Sequence, residues 1–210
     1  MNNIATYLKI LFCFSALALV NCASLSKEEC LNADWKSIGF EDGSRGYSST
    51  RIGTHRKACA KVNVKPDFDL YQQGYAQGAR QYCQPRNGYN LGLRGSSYSV
   101  NCPADLQDSF VMAYNEGKEI YRVKSTLNAY KKNLDHLLEA MDELYAEKSD
   151  LEKQLIHGKL TKPERIAIIK RMREIESEKE ELSIKIDDHE AHIEVLNDNL
   201  RMLHANSGQY

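Results

Sequence analysis

The sequence predicts an all-α protein, a small disulfide-stapled helical domain followed by a long antiparallel coiled-coil hairpin. Three observations point there. Apolar residues keep a three-and-four spacing through two long stretches after residue 121, no stretch alternates as a strand would, and four cysteines are spread through the glycine-rich part before it. The composition changes abruptly at that boundary. Residues 22–121 hold twelve aromatic side chains, ten of the chain's twelve glycines, and twelve basic against eleven acidic residues. Residues 122–210 hold three tyrosines as their only aromatics, and fifteen basic against eighteen acidic residues. The chain therefore divides into a leader, 1–21, a cysteine-containing helical domain, 22–121, and a coiled-coil hairpin, 122–210. The near balance of charge in the first domain gives no basic stripe of the kind nucleic acid requires, so no nucleic-acid partner is expected.

The leader reads as a targeting segment. Lys9 precedes an apolar run from Ile10 to Val20, which suits the core of a signal peptide and is too short to span a bilayer. The run ends in Leu19-Val20-Asn21-Cys22, which resembles a bacterial lipobox, with Asn21 in place of the usual small residue. The resemblance implies a lipid on Cys22 and a membrane partner through it. Ala23 follows where an Asp would favour the inner membrane, so the outer membrane facing the periplasm is the expected location. Ordinary secretion with cleavage near Ala18 or Ala23 is the plainer alternative.

If Cys22 carries lipid, Cys30, Cys59, Cys83 and Cys102 remain as an even set in an oxidising compartment, and four cysteines permit three pairings. Short sequential loops favour Cys30–Cys59 with Cys83–Cys102, each bond contributing about 3 kcal/mol through loop closure. A zinc site would need paired ligands such as C-x2-C, and none are present. No metal or other cofactor is expected.

The elements of the first domain follow from caps and breakers. Ser26 with Glu29 is a capping-box signature for a helix over about 27–42, which carries Cys30 and Trp35 and is broken by Asp42-Gly43-Ser44-Arg45-Gly46. A second short helix is expected around 52–61. Pro66-Asp67 starts a third, running to Tyr82 and ended by Pro85. Residues 83–102 lack apolar periodicity and read as a stapled loop. Pro103 and Asp105 then start the helix that continues into the hairpin. Tyr71, Tyr75, Gly78 and Tyr82 recur in spacing as Phe110, Tyr114, Gly117 and Tyr121, which suggests aromatic rings packed beside glycine notches on helix faces.

Taken together these residues resemble a known family. The run Cys30-x4-Trp35-x2-Ile38-Gly39-Phe40-x-Asp42-Gly43-x2-Gly46, then His55-x3-Cys59, Pro66-Asp67 and Tyr71-x2-Gly74-x3-Gly78-x3-Tyr82-Cys83 carry the first part of the likeness. Pro85-x-Asn87-Gly88-Tyr89-x2-Gly92-x2-Gly95-x2-Tyr98-x3-Cys102-Pro103 and Phe110-x2-Ala113-Tyr114-x2-Gly117 carry the rest. This is similar to an uncharacterised bacterial lipoprotein family, domain-of-unknown-function 2799, over about residues 30–121. The resemblance implies a mostly helical, cysteine-bearing envelope lipoprotein and brings no activity, catalytic residue or ligand with it.

The second part is read as a hairpin. Ile120, Val123, Leu127, Tyr130, Leu134, Leu137, Met141, Leu144, Lys148, Leu151 and Leu155 form one seam. Ile168, Met172, Ile175, Lys179, Leu182, Ile186, His189, Ile193, Leu196, Leu200 and Leu203 form the other. Between them Gly158 ends the first limb and Thr161-Lys162-Pro163-Glu164 is a capping box with proline in the first turn, so the chain turns back. Pairing about residue 160 sets Lys148 opposite Met172 and Met141 opposite Lys179. Each limb would reach about 60 Å.

Several residues have a sharper and a plainer reading. Asp34, Glu41 and Asp42 near Trp35 could be the acid pair and sugar platform of a glycan-cleaving enzyme, though helix-surface carboxylates are commoner. His55 and Cys59 stand one turn apart, as a thiol nucleophile and its base would, but an exported cysteine is more often bonded. His189 and His192 beside Asp188 and Glu190 could hold a divalent metal or simply line a seam. Asn87-Gly88-Tyr89 with Arg94 could bind a glycan or peptide, or merely form turns. The expectation is a non-enzymatic envelope lipoprotein that displays its hairpin to a protein partner; a cell-wall glycan-binding or glycan-cleaving protein is the alternative.

Overall fold

The computed structural model describes residues 24–208, so the leader, with Cys22, lies outside the described residues. Within them every regular element is helical, with no strand. The α-helices are α1 (Lys27–Leu31), α2 (Trp35–Ser44), α3 (Ile52–Cys59), α4 (Phe68–Tyr82), α5 (Pro85–Leu93), α6 (Ala104–His157) and α7 (Lys162–Asn206). Contacts group them into two units: one reaches to residue 84 and adds residues 98–107, and the other takes residues 85–97 and everything from 108 on.

In the first unit the expected helix over 27–42 is two helices. The Ser26–Glu29 capping box forms, but α1 lasts five residues. The Asp34 carboxylate then accepts the N–H groups of Lys36 and Ser37 and starts α2 afresh. An aspartate that can satisfy two orphan donors favours a new N-terminus over continued helix. Cys30 is bonded to Cys59 and Cys83 to Cys102, with Cα separations of 5.4 and 5.7 Å. The segment that carries Cys102 is held by polar bonds as well. The Tyr75 hydroxyl donates to the Tyr47 carbonyl at 2.7 Å and accepts the Asn101 N–H at 3.2 Å.

The core of this unit is the contact between α2 and α4, and glycine makes it close. A Cβ on Gly39 or Gly43 would run into the α4 backbone at Tyr71 and Tyr75, and one on Gly74 or Gly78 into the α2 backbone at Lys36 and Phe40. The two helices therefore meet backbone to backbone, each notch receiving the other's carbonyls. Gly46 then ends α2 with φ +79°, donating to the Gly43 carbonyl while Tyr47 donates to that of Asp42, and the Tyr82 ring fills the space where its side chain would be.

The second unit repeats this arrangement. Residues 85–93, expected as irregular loop, form α5 with Pro85 in its first turn. Its buried face is Gly88, Leu91 and Gly92, a single apolar side chain between two glycines, so no apolar stripe announces it. Gly92 meets the α6 backbone at Tyr114 and Lys118, Gly88 meets it at Phe110, and Gly117 meets α5 at Tyr89 and Leu93. Gly95 (φ +65°) caps α5 under the Tyr121 ring by the same pair of bonds, Gly95 to Gly92 and Ser96 to Leu91. Gly39, Gly43 and Gly46 thus have counterparts in Gly88, Gly92 and Gly95. Tyr71, Gly74, Tyr75, Gly78 and Tyr82 have theirs in Phe110, Ala113, Tyr114, Gly117 and Tyr121. The recurrence in sequence is a duplicated helix pair.

From there α6, 54 residues long, and α7, 45 long, form the antiparallel hairpin. Every seam residue expected from the heptads is buried or half-buried. Arg171 clamps both carboxylate oxygens of Glu147 at 2.8 Å, and Arg165 donates to the Leu155 carbonyl at 3.2 Å. Tyr130 packs against His189 and His192 with ring centres 5.2 and 5.1 Å away. The Thr161–Glu164 capping box starts the return limb.

Candidate functional site

The first unit contains one buried polar cluster. Asp42 lies on the buried side of α2 and is 6 % exposed; His55, in α3, is 2 % exposed. Their side chains meet at 2.7 Å, His55 Nε2 to Asp42 Oδ2, and the Tyr71 hydroxyl of α4 donates to the same oxygen at 2.8 Å. Arg51 Nε stands 3.0 Å from Oδ1, and its guanidinium lies over the Tyr47 ring at 3.8 Å. At the far side of the imidazole, Nδ1 is 2.9 Å from the Ser24 hydroxyl. The imidazole thus bridges the carboxylate at one nitrogen and the serine hydroxyl at the other.

Electrostatics in the cluster are set by competition. Burial pushes the Asp42 carboxyl up, but bonds from His55 and Tyr71, with the His55 and Arg51 charges, outweigh it and hold the group below the usual carboxylate range. Burial, and then the bond to Asp42, push the Tyr71 hydroxyl well above the ordinary tyrosine value. Asp42 therefore stays ionised and Tyr71 protonated, a charge with two hydrogen-bond partners and the Arg51 guanidinium around it.

The duplicated unit shows that the helix pair does not need this cluster. Leu91 stands at the position of Asp42 and Phe110 at that of Tyr71. Both are buried, and the glycine seam is the same. What the first unit adds is a polar tie from α2 and α4 through α3 to Ser24, the first described residue. Serine, histidine and aspartate in that bond order resemble an activated hydroxyl. The described clefts, however, are lined by other residues, and His55 is enclosed.

A second feature lies on the outside of α3. Two clefts of about 640 and 400 Å³ share Arg56 and Lys65 in their linings. The first adds Lys57 and Val64, the second Ile52, Pro66 and Phe68. Residues 43–66 contain six cations and no carboxylate. Arg45 and Arg51 are paired with Glu41 and Asp42. Arg56, Lys57, Lys61 and Lys65 are exposed and, among the described residues, make no ion pair. The overall charge balance of the domain concealed this gathering, which a count over 43–66 would have found.

The other candidate residues have structural employment. Asp34 caps α2, Glu41 pairs with Arg45 on the surface, and Trp35 is buried rather than offered as a platform. Cys59 is in its disulfide. His189 and His192 rest on Tyr130, their Nδ1 atoms on the carbonyls of Lys185 and Asp188. No cluster of three or more His, Cys, Asp or Glu able to hold a metal occurs among the described residues. Asn87, Gly88 and Tyr89 are in α5, where Gly88 serves helix contact rather than a turn. No helix among the described residues is long and apolar enough to cross a membrane.

Residues 34–119 match the family model described as protein of unknown function (DUF2799). The uncharacterized protein YfiL of Escherichia coli (strain K12) is 31 % identical over 71 residues, covering 34 % of this chain and 54 % of that protein. The chain thus spans about half the length of the curated relative it matches. No solved structure matches it. The matched region holds both glycine-seamed helix pairs and Asp42, Arg51, His55 and Tyr71 of the cluster, leaves Ser24 outside, and stops where the hairpin begins.

Proposed function

Starting from a chain whose residues 34–119 are a DUF2799 region, we propose a non-enzymatic envelope lipoprotein, held by lipid on Cys22, that presents its hairpin to a protein partner in the periplasm. The outer membrane is the membrane proposed. The observation that carries the reading is the end of the hairpin. Ile156, 72 % exposed, and Ile166, 58 % exposed, flank the turn at matching heights on the two limbs, with Ile169 exposed one turn along. Large apolar side chains outside the seam, at the far end of paired helices, suit a protein partner that would cover them. The lipobox at 19–22 supports the anchor, and the two disulfides suit an oxidising compartment. The carboxylates that a glycan-cleaving reading needs are engaged in a cap, a surface pair and a buried cluster, which favours the binding role.

Two measurements test it. Cys22→Ser should move the protein from the membrane fraction to a soluble or unprocessed form; unchanged fractionation with the leader removed would show that no lipid is attached there. A photo-crosslinking residue at 169 should capture one envelope protein in cells, and Ile156→Asp with Ile166→Asp should abolish the capture. Crosslinks spread evenly along the limbs, indifferent to those changes, would overturn the tip as the docking surface.

A further inference from the structure

We infer that the outer face of α3 and the turn after it, Arg56, Lys57, Lys61 and Lys65 around Phe68, is a docking surface for the anionic headgroups of the membrane that holds the chain. The inference rests on the reading of Cys22 as the lipid-bearing residue. Two observations place this face at the bilayer. The first is where the described chain starts. Ser24 is bonded to His55, the residue before Arg56, at 2.9 Å, and Cys30 is tied to Cys59 at the end of α3. Cys22 is two residues before Ser24, and two residues of chain reach about 7 Å at most. A lipid on Cys22 would therefore be attached within about 7 Å of Ser24, which brings α3 close to the membrane surface.

The second observation is charge. Four exposed cations without ion-pair partners among the described residues follow one another from 56 to 65, and the nearest carboxylate after them, Asp67, is engaged by the Leu70 N–H as the cap of α4. Arg56 and Lys65 rim both clefts, whose other walls include Ile52, Val64, Pro66 and the 59 %-exposed Phe68. Cations around an apolar floor match a phosphate-bearing headgroup with acyl carbons beneath it. Each cation near an anionic surface favours binding by about fivefold, and the attraction fades within a Debye length, so it gains most when the domain is already held close. The Ser24–His55–Asp42 tie supplies that closeness, giving the buried cluster a role that its counterpart, with Leu91 and Phe110, does not have.

The test uses the full chain carrying Cys22→Ser, which has no lipid, with vesicles of phosphatidylcholine alone or with phosphatidylglycerol added to about a third. Co-flotation should occur with the anionic vesicles, weaken with added salt, and fall at least a hundredfold when Arg56, Lys57, Lys61 and Lys65 are changed to Glu. Phe68→Ser should weaken it severalfold with the charges intact. Reversing four hairpin cations, Lys131, Lys132, Lys153 and Lys170, should leave it unchanged, and helicity by circular dichroism should be the same in all variants. Equal binding to both vesicle types, or equal loss from the hairpin reversal, would overturn the proposal. So would release by inorganic phosphate at an ionic strength where chloride does nothing, since that would mark a pocket for a free anion. Because no acyl chain is present, the result is separate from the fractionation test: charge-dependent flotation with unaltered Cys22→Ser fractionation would remove the anchor and keep this face.

Discussion

At the scale of single residues, Asp42 carries the most consequence, because two hydrogen bonds and the Arg51 charge converge on one buried carboxylate. Asp42→Ala leaves His55 and Tyr71 facing each other without an acceptor and should cost about 3 kcal/mol in urea unfolding with the disulfides intact. Copying the duplicated unit gives the control: Asp42→Leu together with Tyr71→Phe should cost less than the two changes added, since the partner hydroxyl is removed with its acceptor. The pH dependence follows from the sign of the shift. The folded carboxyl lies below its ordinary value, so its stabilisation is complete above the unfolded value of about 3.9 and is lost as pH falls through the folded one. The gap in unfolding midpoint between wild type and Asp42→Asn should therefore narrow from pH 7 towards pH 2; a gap independent of pH would refute the ionised cluster. Little of this was legible in the sequence. Asp42 and His55 each stood out, but nothing in their spacing pairs an aspartate at the end of one helix with a histidine in the next, and Ser24 carried no signal.

At the scale of elements, the glycines decide what the helices can do. Their pattern was visible as an aromatic followed three residues later by glycine, and the likeness of 71–82 to 110–121 was read correctly as a repeat. Yet α5 lies where the sequence shows only loop. Sequence reading finds helices by apolar stripes, and α5 buries a single apolar side chain, Leu91, between Gly88 and Gly92, whose contribution is the absence of a side chain. The same logic separates two substitutions that propensity treats alike. At Gly74 an added methyl would collide with the Lys36 carbonyl, and at Gly53 it would meet nothing within 4 Å. Gly74→Ala should force α2 and α4 apart at a cost of about 3 kcal/mol or more, while Gly53→Ala, in the open face of α3, should stabilise by about 0.5 kcal/mol through its better helix propensity. Thermal unfolding of the two variants side by side measures both signs. Similar midpoints would mean that the backbone contact at Gly74 relaxes freely.

At the scale of the whole molecule, the hairpin was the most legible feature, because a heptad seam, a capping box and a proline each leave a local mark and all agree. Its register is fixed by contacts the sequence does not display. Lys148, expected opposite Met172, reaches Glu176 at 2.6 Å, and Lys179, only 14 % exposed along its side chain, sets its ammonium 3.9 Å over the Tyr145 ring while pairing with Glu176. Each lysine keeps its stem on the seam and carries its charge to the edge within one chain. In a parallel pair of chains each would instead face its own copy, and like charges would meet twice. The register also says which positions meet near the start of the first limb. Tyr130 touches His189, and one heptad back along α6 and one forward along α7 lie Val123, fully buried, and Leu196, half-buried. Cysteines at 123 and 196 of the full chain, kept reduced while the buried native disulfides stay closed and then oxidised at high dilution, should therefore join within one monomer. The yield should not depend on protein concentration, and peptide mapping should find the 123–196 link. A shift of the same link into dimers as concentration rises, with no intramolecular product at the dilute end, would show that the seam belongs to two chains.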